Sequence, residues 1–343
     1  MITMKDVAKD SGISRNSVSK VLNGDPTVKE STRKKVLASC EKLGYVRNEH
    51  AVNLVRRESR TIGLVVSRIT DPFYDELIEA AEKHATKAGY QLIYKCSYMQ
   101  ADREEEILRH FQSLNVCALI IAPAFFEENV WYLERLEKQM PVVYMDKHFK
   151  DNCHYVMSDH LASVRQITEH LIAQGAEPAY IGKDCPPLSS HRAGYEAAMR
   201  AHGLACSYVP IEGPDPDNDM LYCYQNTARY LDANPMPTGL FCVSDAGALG
   251  AMRAVVEHGG TPGKDVLVAG HDDLRFSAFV QPGLTTMAQP KQEIGRTCVD
   301  VAIGLLKKKG KRTRYVQKVL QSELIVREST SSPAWGKHKG GGR

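Results

Sequence analysis

Lys5-Asp6-Val7-Ala8-Lys9-Asp10-Ser11-Gly12-Ile13-Ser14-Arg15-Asn16-Ser17-Val18-Ser19-Lys20-Val21-Leu22-Asn23 holds two short helical patterns around a glycine turn. Val7, Ala8, Ile13, Val18, Val21 and Leu22 supply the inner faces. Arg15, Asn16, Ser17 and Lys20 lie between them, and these side chains suit base edges and phosphates. The spacing predicts a helix-turn-helix whose second helix enters a major groove. Thr3 is placed to cap the first helix, with the Asp6 carboxylate three residues later favouring its N-terminus. Ser14 is placed to cap the second. Asn23-Gly24-Asp25-Pro26 is a turn cluster. A third helix is predicted from about Glu30 to Leu43, with Val36, Leu37, Cys40 and Leu43 on one face and Gly44 ending it. Its start reads Val28-Lys29-Glu30, and lysine is a poor cap. Three helices in so short a segment make a small core of modest stability.

Working outward, residues 46–60 form a connector. Asn48-Glu49-His50-Ala51-Val52-Asn53-Leu54-Val55 has room for two helical turns, too few to be stable alone. Charged Arg56-Arg57-Glu58-Ser59-Arg60 follows. From Thr61 the pattern changes to short apolar runs alternating with amphipathic stretches. Strands are predicted at residues 62–66, 91–94, 118–121 and 142–145. After about residue 160 the alternation repeats, with strands near 179–181, 239–243 and 266–269. Continuous apolar strands between helices imply parallel sheets covered on both faces. Two such units in series imply two α/β lobes with a cleft between them, a common ligand site. Residues 329–343 are small, polar and glycine-rich and read as a disordered tail.

Charge is unevenly placed along the 343 residues. The total is only +3, yet residues 1–57 carry 12 Lys+Arg against 6 Asp+Glu. A basic N-terminal module on a mildly acidic body implies a polyanion contact confined to one end. The nine cysteines show no C-x-x-C pair and no His/Cys cluster at metal-ligand spacing. Cys96, Cys117, Cys242 and Cys298 sit beside apolar residues, as buried reduced thiols of a cytosolic protein would. No apolar signal segment opens the chain, and no apolar run reaches the ~18 residues of a membrane span. The expected location is the cytoplasm, at the nucleoid when DNA is bound. No metal ligands, catalytic residues or cofactor are expected.

Several separated motifs agree in order: Asp6-Val7-Ala8, Val18-Ser19-Lys20-Val21-Leu22-Asn23, Asp71-Pro72-Phe73-Tyr74, Ser244-Asp245-Ala246-Gly247-Ala248-Leu249-Gly250, Gly270-His271-Asp272-Asp273 and Leu284-Thr285-Thr286. With the connector and the two-lobed body, they make residues 2–328 resemble the lactose-repressor/galactose-repressor (LacI/GalR) family of bacterial transcription factors. The resemblance implies an all-α helix-turn-helix headpiece (1–45), a hinge helix and linker (46–60), and a two-lobed α/β regulatory domain of the type I periplasmic-binding-protein kind (61–328). It implies a homodimer on near-palindromic operator DNA, most simply a repressor, whose affinity a small polar, sugar-like effector controls.

The resemblance places base reading on Arg15 and Asn16. Arginine is a bidentate partner for guanine and asparagine for adenine; the competing reading is phosphate contact alone. Ser17, Ser19 and Asn23 would position the backbone. Lys20 stands where arginine is frequent, and it lacks the planar fork. In the family the connector becomes a minor-groove hinge helix on specific DNA. Leu54 would then be the wedge, with Ala51 beside it and Asn48 near the helix start; the competing role for Leu54 is interdomain packing. Phe73, Asp146, Arg192, Asp245 and Asp272 are the implied effector contacts, the aspartates at strand ends where open α/β sheets place ligands. A rival role for these aspartates is to cap the helix after each strand. Ser244 and His271 replace a frequent asparagine and a frequent aromatic, and His271 is expected to pack in a hinge. The dimer face is expected along both lobes, including the helix starting near Asp75, and no heptad pattern follows Val326.

Three rival readings remain. A periplasmic sugar-binding protein has no use for residues 1–57. An enzyme of this class would carry a phosphate loop, a zinc motif or a nucleophile elbow, and none occurs. A nonspecific DNA binder would show steep salt dependence without sequence preference.

Overall fold

Three helices follow the signals read in the N-terminal segment: α1 (Met4–Ser11), α2 (Arg15–Leu22) and α3 (Glu30–Leu43). The computed structural model describes residues 2–46, 59–123, 126–182, 189–211, 219–308 and 314–331. The chain divides into two units, residues 1–59 and 60–343. In the first, Val7, Val18, Val21 and Val36 are buried, with Ala8, Ile13, Leu22, Cys40 and Leu43 packed around them. The Asp6 carboxylate reaches back over the first turn and accepts from the Thr3 N–H (2.8 Å) and hydroxyl (2.7 Å). Ser14 Oγ accepts from the Ser17 N–H at 3.2 Å. Lys29 makes no side-chain cap for α3. Gly12 and Gly44 end their helices with φ of 68° and 63°, a left-handed turn that glycine enters without strain.

Leu37 departs from expectation. It is 50% exposed, and Ser39 is buried in its stead. Leu37 lies about 100° around the helix from Val36, outside the stripe that α1 and α2 cover. Ser39 is admitted because its hydroxyl donates to Asp10 Oδ2 at 2.8 Å. Lys42 Nζ meets the other Asp10 oxygen at 2.6 Å, tying α3 to α1.

The second unit runs β1 (Thr61–Val66), α4 (Pro72–Lys87), β2 (Gln91–Cys96), α5 (Ala101–Ser113), β3 (Ala118–Ile121), α6 (Phe126–Glu137), β4 (Val142–Met145), β5 (His154–Ser158), α7 (His160–Ala173), β6 (Pro178–Gly182), α8 (Ser189–Ala201), β7 (Ser207–Pro210), α9 (Asp219–Ala233), β8 (Gly239–Cys242), α10 (Asp245–Glu257), β9 (Leu267–Asp272), a 3-10 turn (Arg275–Ala278), β10 (Thr285–Ala288), α11 (Lys291–Lys307), β11 (Gln317–Leu320), β12 (Glu323–Ile325) and α12 (Glu328–Ser331). Two six-stranded sheets result, ordered β2-β1-β3-β4-β5-β11 and β7-β6-β8-β9-β10-β12. Every pairing is parallel except β10 with β12. Strands β3, β4, β8 and β9 are buried along their length. Each sheet carries apolar cores on both faces, and that is why these strands read as unbroken apolar runs.

The lobes are not two units in series, as the sequence pattern implied. The chain leaves the first lobe between β5 and α7 and returns between β10 and α11. It crosses again between β11 and β12. Ile294, Cys298, Val299 and Ala302 of α11 pack with Leu77 and Ala81 of α4 in the first lobe's core. The boundary of the tail also moves. Ser329 and Thr330, expected to be disordered, are fully buried in α12. The Ser329 hydroxyl donates to the Val268 carbonyl (2.6 Å) and accepts from the Thr285 N–H (2.8 Å). Polar residues can be buried when every group is paired. Cys96, Cys242 and Cys298 are buried free thiols, and Cys117 is half-buried. Among the described residues, no helix is long and apolar enough to cross a membrane.

Candidate functional site

On the headpiece, α2 buries Val18 and Val21 and turns its polar positions outward. Arg15, Asn16, Lys20 and Asn23 are exposed, and Ser17 and Ser19 are half-buried. Asn16, Lys20 and Asn23 stand four and three residues apart, so they share one face. Arg15 and Asn16 occupy the first turn, the part of a recognition helix that reaches base edges. The Ser17 hydroxyl lies 3.0 Å from that of Ser14, and Asn23 Nδ2 donates to Ser19 Oγ at 3.3 Å. These serines brace the helix. Asn48, Ala51 and Leu54 lie outside the described residues.

In the body, a cavity of about 160 Å³ opens between the lobes at the carboxyl ends of the central strands. Arg68, Thr70, Asp71 and Pro72 line it from the first lobe; Ser244, Ala246, Asp272, Leu274 and Phe276 are among its walls from the second. The strand order reverses at β1/β3 and at β6/β8, and such switch points hold ligands in open α/β sheets. Backbone strain collects at the same level. Asp146 and Asp273 have φ of 68° and 52°, and Asp272 has φ 153°. Non-glycine residues hold such angles at a cost, and they cluster at working sites.

Of the three expected aspartates, Asp272 is the one that lines the cavity. Its Oδ1 accepts from Gln289 Nε2 at 2.8 Å. Burial, with Asp245 and Asp71 nearby, pushes its carboxyl well above the usual range. Lys291, buried at the start of α11, donates to the main-chain carbonyls of Asp272 and Asp273 and lies 3.8 Å from Glu76 of α4. One ammonium therefore joins the strained strand end to the first lobe. Arg327 holds the Asp273 carboxylate at 2.7 Å.

The other expected contacts are placed differently. Phe73 lies inside the first turn of α4, where Asp71 accepts from its N–H at 3.0 Å. Its ring is 6% exposed and meets Tyr74 edge-on at 5.3 Å, within the first lobe's core. The ring in the cavity wall is that of Phe276. Asp245 has no exposed surface. It is not the cap of α10, because Ser244 Oγ accepts from the Gly247 N–H at 3.0 Å. Asp245 instead accepts from the Leu274 N–H (2.8 Å) and the hydroxyls of Ser277 and Thr286 (2.5 Å each). A Cβ at Gly270 would collide with that carboxylate, and this explains glycine ahead of His271 and Asp272. Burial raises the Asp245 carboxyl, against those hydrogen bonds. Asp146 directly follows β4, its side chain 12% exposed, with Oδ1 3.3 Å from His160 Nε2. Arg192 sits on α8, paired with Glu196 at 2.8 Å and over the Tyr208 ring. His271 is fully buried between Ser163 and Gln289.

Arg68, Phe276, Gln289 and Lys291 were not singled out in the sequence. Only their position relative to the strand ends marks them.

Residues 3–48 match the family model for bacterial regulatory proteins of the lacI family, and residues 168–330 match that for a periplasmic binding protein-like domain. Over 341 residues the chain is 30% identical to the HTH-type transcriptional repressor PurR of Haemophilus influenzae, covering 97% of this chain and 99% of that protein. The lac repressor dimer bound to operator and the anti-inducer ONPF aligns with a TM-score of 0.85 at 25% identity, covering 96% of this chain and 99% of that one. The transcriptional regulator CelR in complex with cellobiose aligns with a TM-score of 0.70 at 25% identity, over 96% and 100% of the two chains. A helix-turn-helix headpiece joined to a two-lobed parallel α/β body, matched along almost its whole length by such repressors, makes this chain a DNA-binding transcriptional regulator of the lacI family.

Proposed function

We propose that the chain represses transcription as a homodimer on a near-palindromic operator, and that a small polar, sugar-like effector in the interlobe cavity sets its affinity. The carrying observation is Asp272, a buried carboxylate on a strained strand end, facing a cavity whose walls come from both lobes. The cavity is smaller than the ~300–1,000 Å³ of drug-sized pockets, which favours a ligand of monosaccharide scale. Hydroxyl groups suit a carboxylate at the floor and a guanidinium, Arg68, at the wall. Phe276 offers a ring for the effector's apolar face. Phe73 and Asp245 support the walls from behind. Arg192 reaches the effector only by exchanging its Glu196 contact. The chain acts by binding alone, without catalysis, in the cytoplasm and on the nucleoid. Because both lobes line the cavity, an effector that prefers one lobe arrangement shifts the population toward it. The reciprocal coupling to DNA is then typically ~1–3 kcal/mol.

Selection of bound sequences from random DNA, repeated with sugars, sugar phosphates and nucleobases, tests this reading. One palindromic motif should be enriched, and one compound class should change its retention. Absence of any enriched motif under every condition would refute it.

Two variants sharpen the assignment. Asp272→Asn should abolish the effector response while raising the melting temperature at pH 8 by a few degrees. The sign follows from linkage: a carboxyl raised in the fold opposes folding once ionised, so that cost is absent at low pH and grows as pH rises through the folded value. Asparagine carries no such charge, so its advantage should vanish near pH 4, at the ordinary carboxylate value. A melting gain that is equal at pH 8 and pH 4 contradicts the charge argument. Leu54→Ala should lower operator affinity at least about tenfold, or ~1.4 kcal/mol, while leaving random-sequence binding intact. Unchanged operator affinity in a gel-shift titration removes Leu54 as the wedge.

A further inference from the structure

Behind the cavity floor, three histidines far apart in sequence converge. His160 opens α7 just after the first crossing between lobes, His191 lies on α8, and His271 lies in β9 next to Asp272. Each offers one donor atom, and these atoms all lie within 4.8 Å of one another. The side chains are buried, with His160 and His191 6% exposed and His271 not at all. The His160 and His191 rings stack at 4.4 Å, with the His271 ring 5.1 Å from His191 and 5.7 Å from His160.

Their polar atoms are incompletely paired. Among the described residues, Nδ1 of His160 and Nδ1 of His191 have no hydrogen-bond partner, while His160 Nε2 faces Asp146 Oδ1 at 3.3 Å. Buried polar atoms are rarely left so. Two orphaned imidazole nitrogens beside a third buried ring imply a missing partner that accepts imidazole lone pairs. A proton serves one such atom. A metal cation serves all three rings.

We propose that His160, His191 and His271 bind a single divalent transition-metal ion of the zinc class, with Asp146 orienting His160 through its other ring nitrogen. Three imidazoles are a donor set for such ions, and oxygen-preferring magnesium and calcium would be excluded. Tetrahedral Zn–N bonds of ~2.0–2.1 Å need nitrogens about 3.3 Å apart, so small side-chain rotations close the cluster. The surrounding contacts fit a metal site. His271 has one ring nitrogen 2.9 Å from Ser163 Oγ and the other 3.1 Å from Gln289 Nε2, so either contact can orient the ring while the opposite nitrogen turns to the ion. Gln289 also holds Asp272, linking this cluster to the cavity. Asp146 belongs to the first lobe and the histidines to the second, so an ion on His160 would act on the contact between the lobes through the Asp146–His160 pair.

The test is calorimetric titration of the chelator-treated full-length chain with Zn²⁺ alone, without DNA or effector. One ion per chain is expected, with the melting temperature raised by Zn²⁺ and unmoved by Mg²⁺ or Ca²⁺. Co²⁺ in place of Zn²⁺ should give the intense visible absorption of a tetrahedral ion. His191→Phe, which keeps the ring volume, should weaken Zn²⁺ binding at least tenfold and abolish the cobalt band. If circular dichroism shows that phenylalanine prevents folding, His160→Gln is the second variant, with the same expectation. No stoichiometric Zn²⁺ binding by the unaltered chain, or binding equal in the folded variants, overturns the proposal.

Discussion

Alanine at both Arg15 and Asn16 is expected to reduce operator binding to the level of random DNA, a loss of at least about 10³-fold. Each bidentate base contact discriminates by ~1–3 kcal/mol. In the proposed homodimer each contact repeats on both half-sites, so four are removed together. That sum reaches the ~4–10 kcal/mol separating specific from nonspecific binding, which sets the floor. Both side chains are exposed and make no core contact, so the headpiece should melt as before. The check is a titration of operator and scrambled DNA in one buffer. A loss equal on both would mean that the two residues touch only phosphate. Lys20→Ala gives the contrast, weakening both DNAs alike and flattening the salt dependence.

Alanine at Asp245 is expected to cost about 3–5 kcal/mol of unfolding free energy in the body. The carboxylate is fully buried and accepts from the Leu274 N–H and from the Ser277 and Thr286 hydroxyls. Its removal leaves three buried donors without their partner, each worth about 1–3 kcal/mol. Some of this is offset, because an ionised group raised by burial no longer has to be kept from water. An asparagine side chain retains an acceptor oxygen, so Asp245→Asn should recover most of the loss. Urea unfolding followed by tryptophan fluorescence measures both. Equal midpoints for the alanine variant and the unaltered chain would show that the network contributes nothing. Asp245 also bears on function, since it holds Leu274 of the cavity wall and Ser277 beside Phe276.

The headpiece was legible because its determinants are local. Caps at Thr3 and Ser14, glycines at positions 12 and 44, and valines one turn apart lie within a few residues of what they control. Central strands β1, β3, β4, β8 and β9 were legible for another reason: burial on both faces leaves an apolar run. Strands β5, β7 and β10 to β12 gave no such signal, and Gln317-Lys318-Val319 of β11 stands exposed at a sheet edge. Ser329 and Thr330 looked like a solvated tail because hydrogen bonding, rather than hydrophobicity, buries them. The resemblance implies an effector contact at Phe73, whereas Asp71 caps the start of α4 there and the ring turns inward. The histidine cluster was beyond any reading of local spacing, since 31 and 80 residues separate its members.

The triple crossing between lobes bears on how the molecule can be dissected. A gene cut near residue 160 would give a first fragment lacking α11 and β11, with the part of its sheet that α11 covers left bare. The second fragment would carry those elements with no sheet to receive them. Neither piece should be soluble alone, yet the two should complement when expressed together, as a split reporter does. New termini joined within an exposed loop of one lobe should be tolerated far better than any division between the lobes. Three strands of chain also act as three parallel straps, leaving the lobes free to bend about one line and stiff against sliding apart.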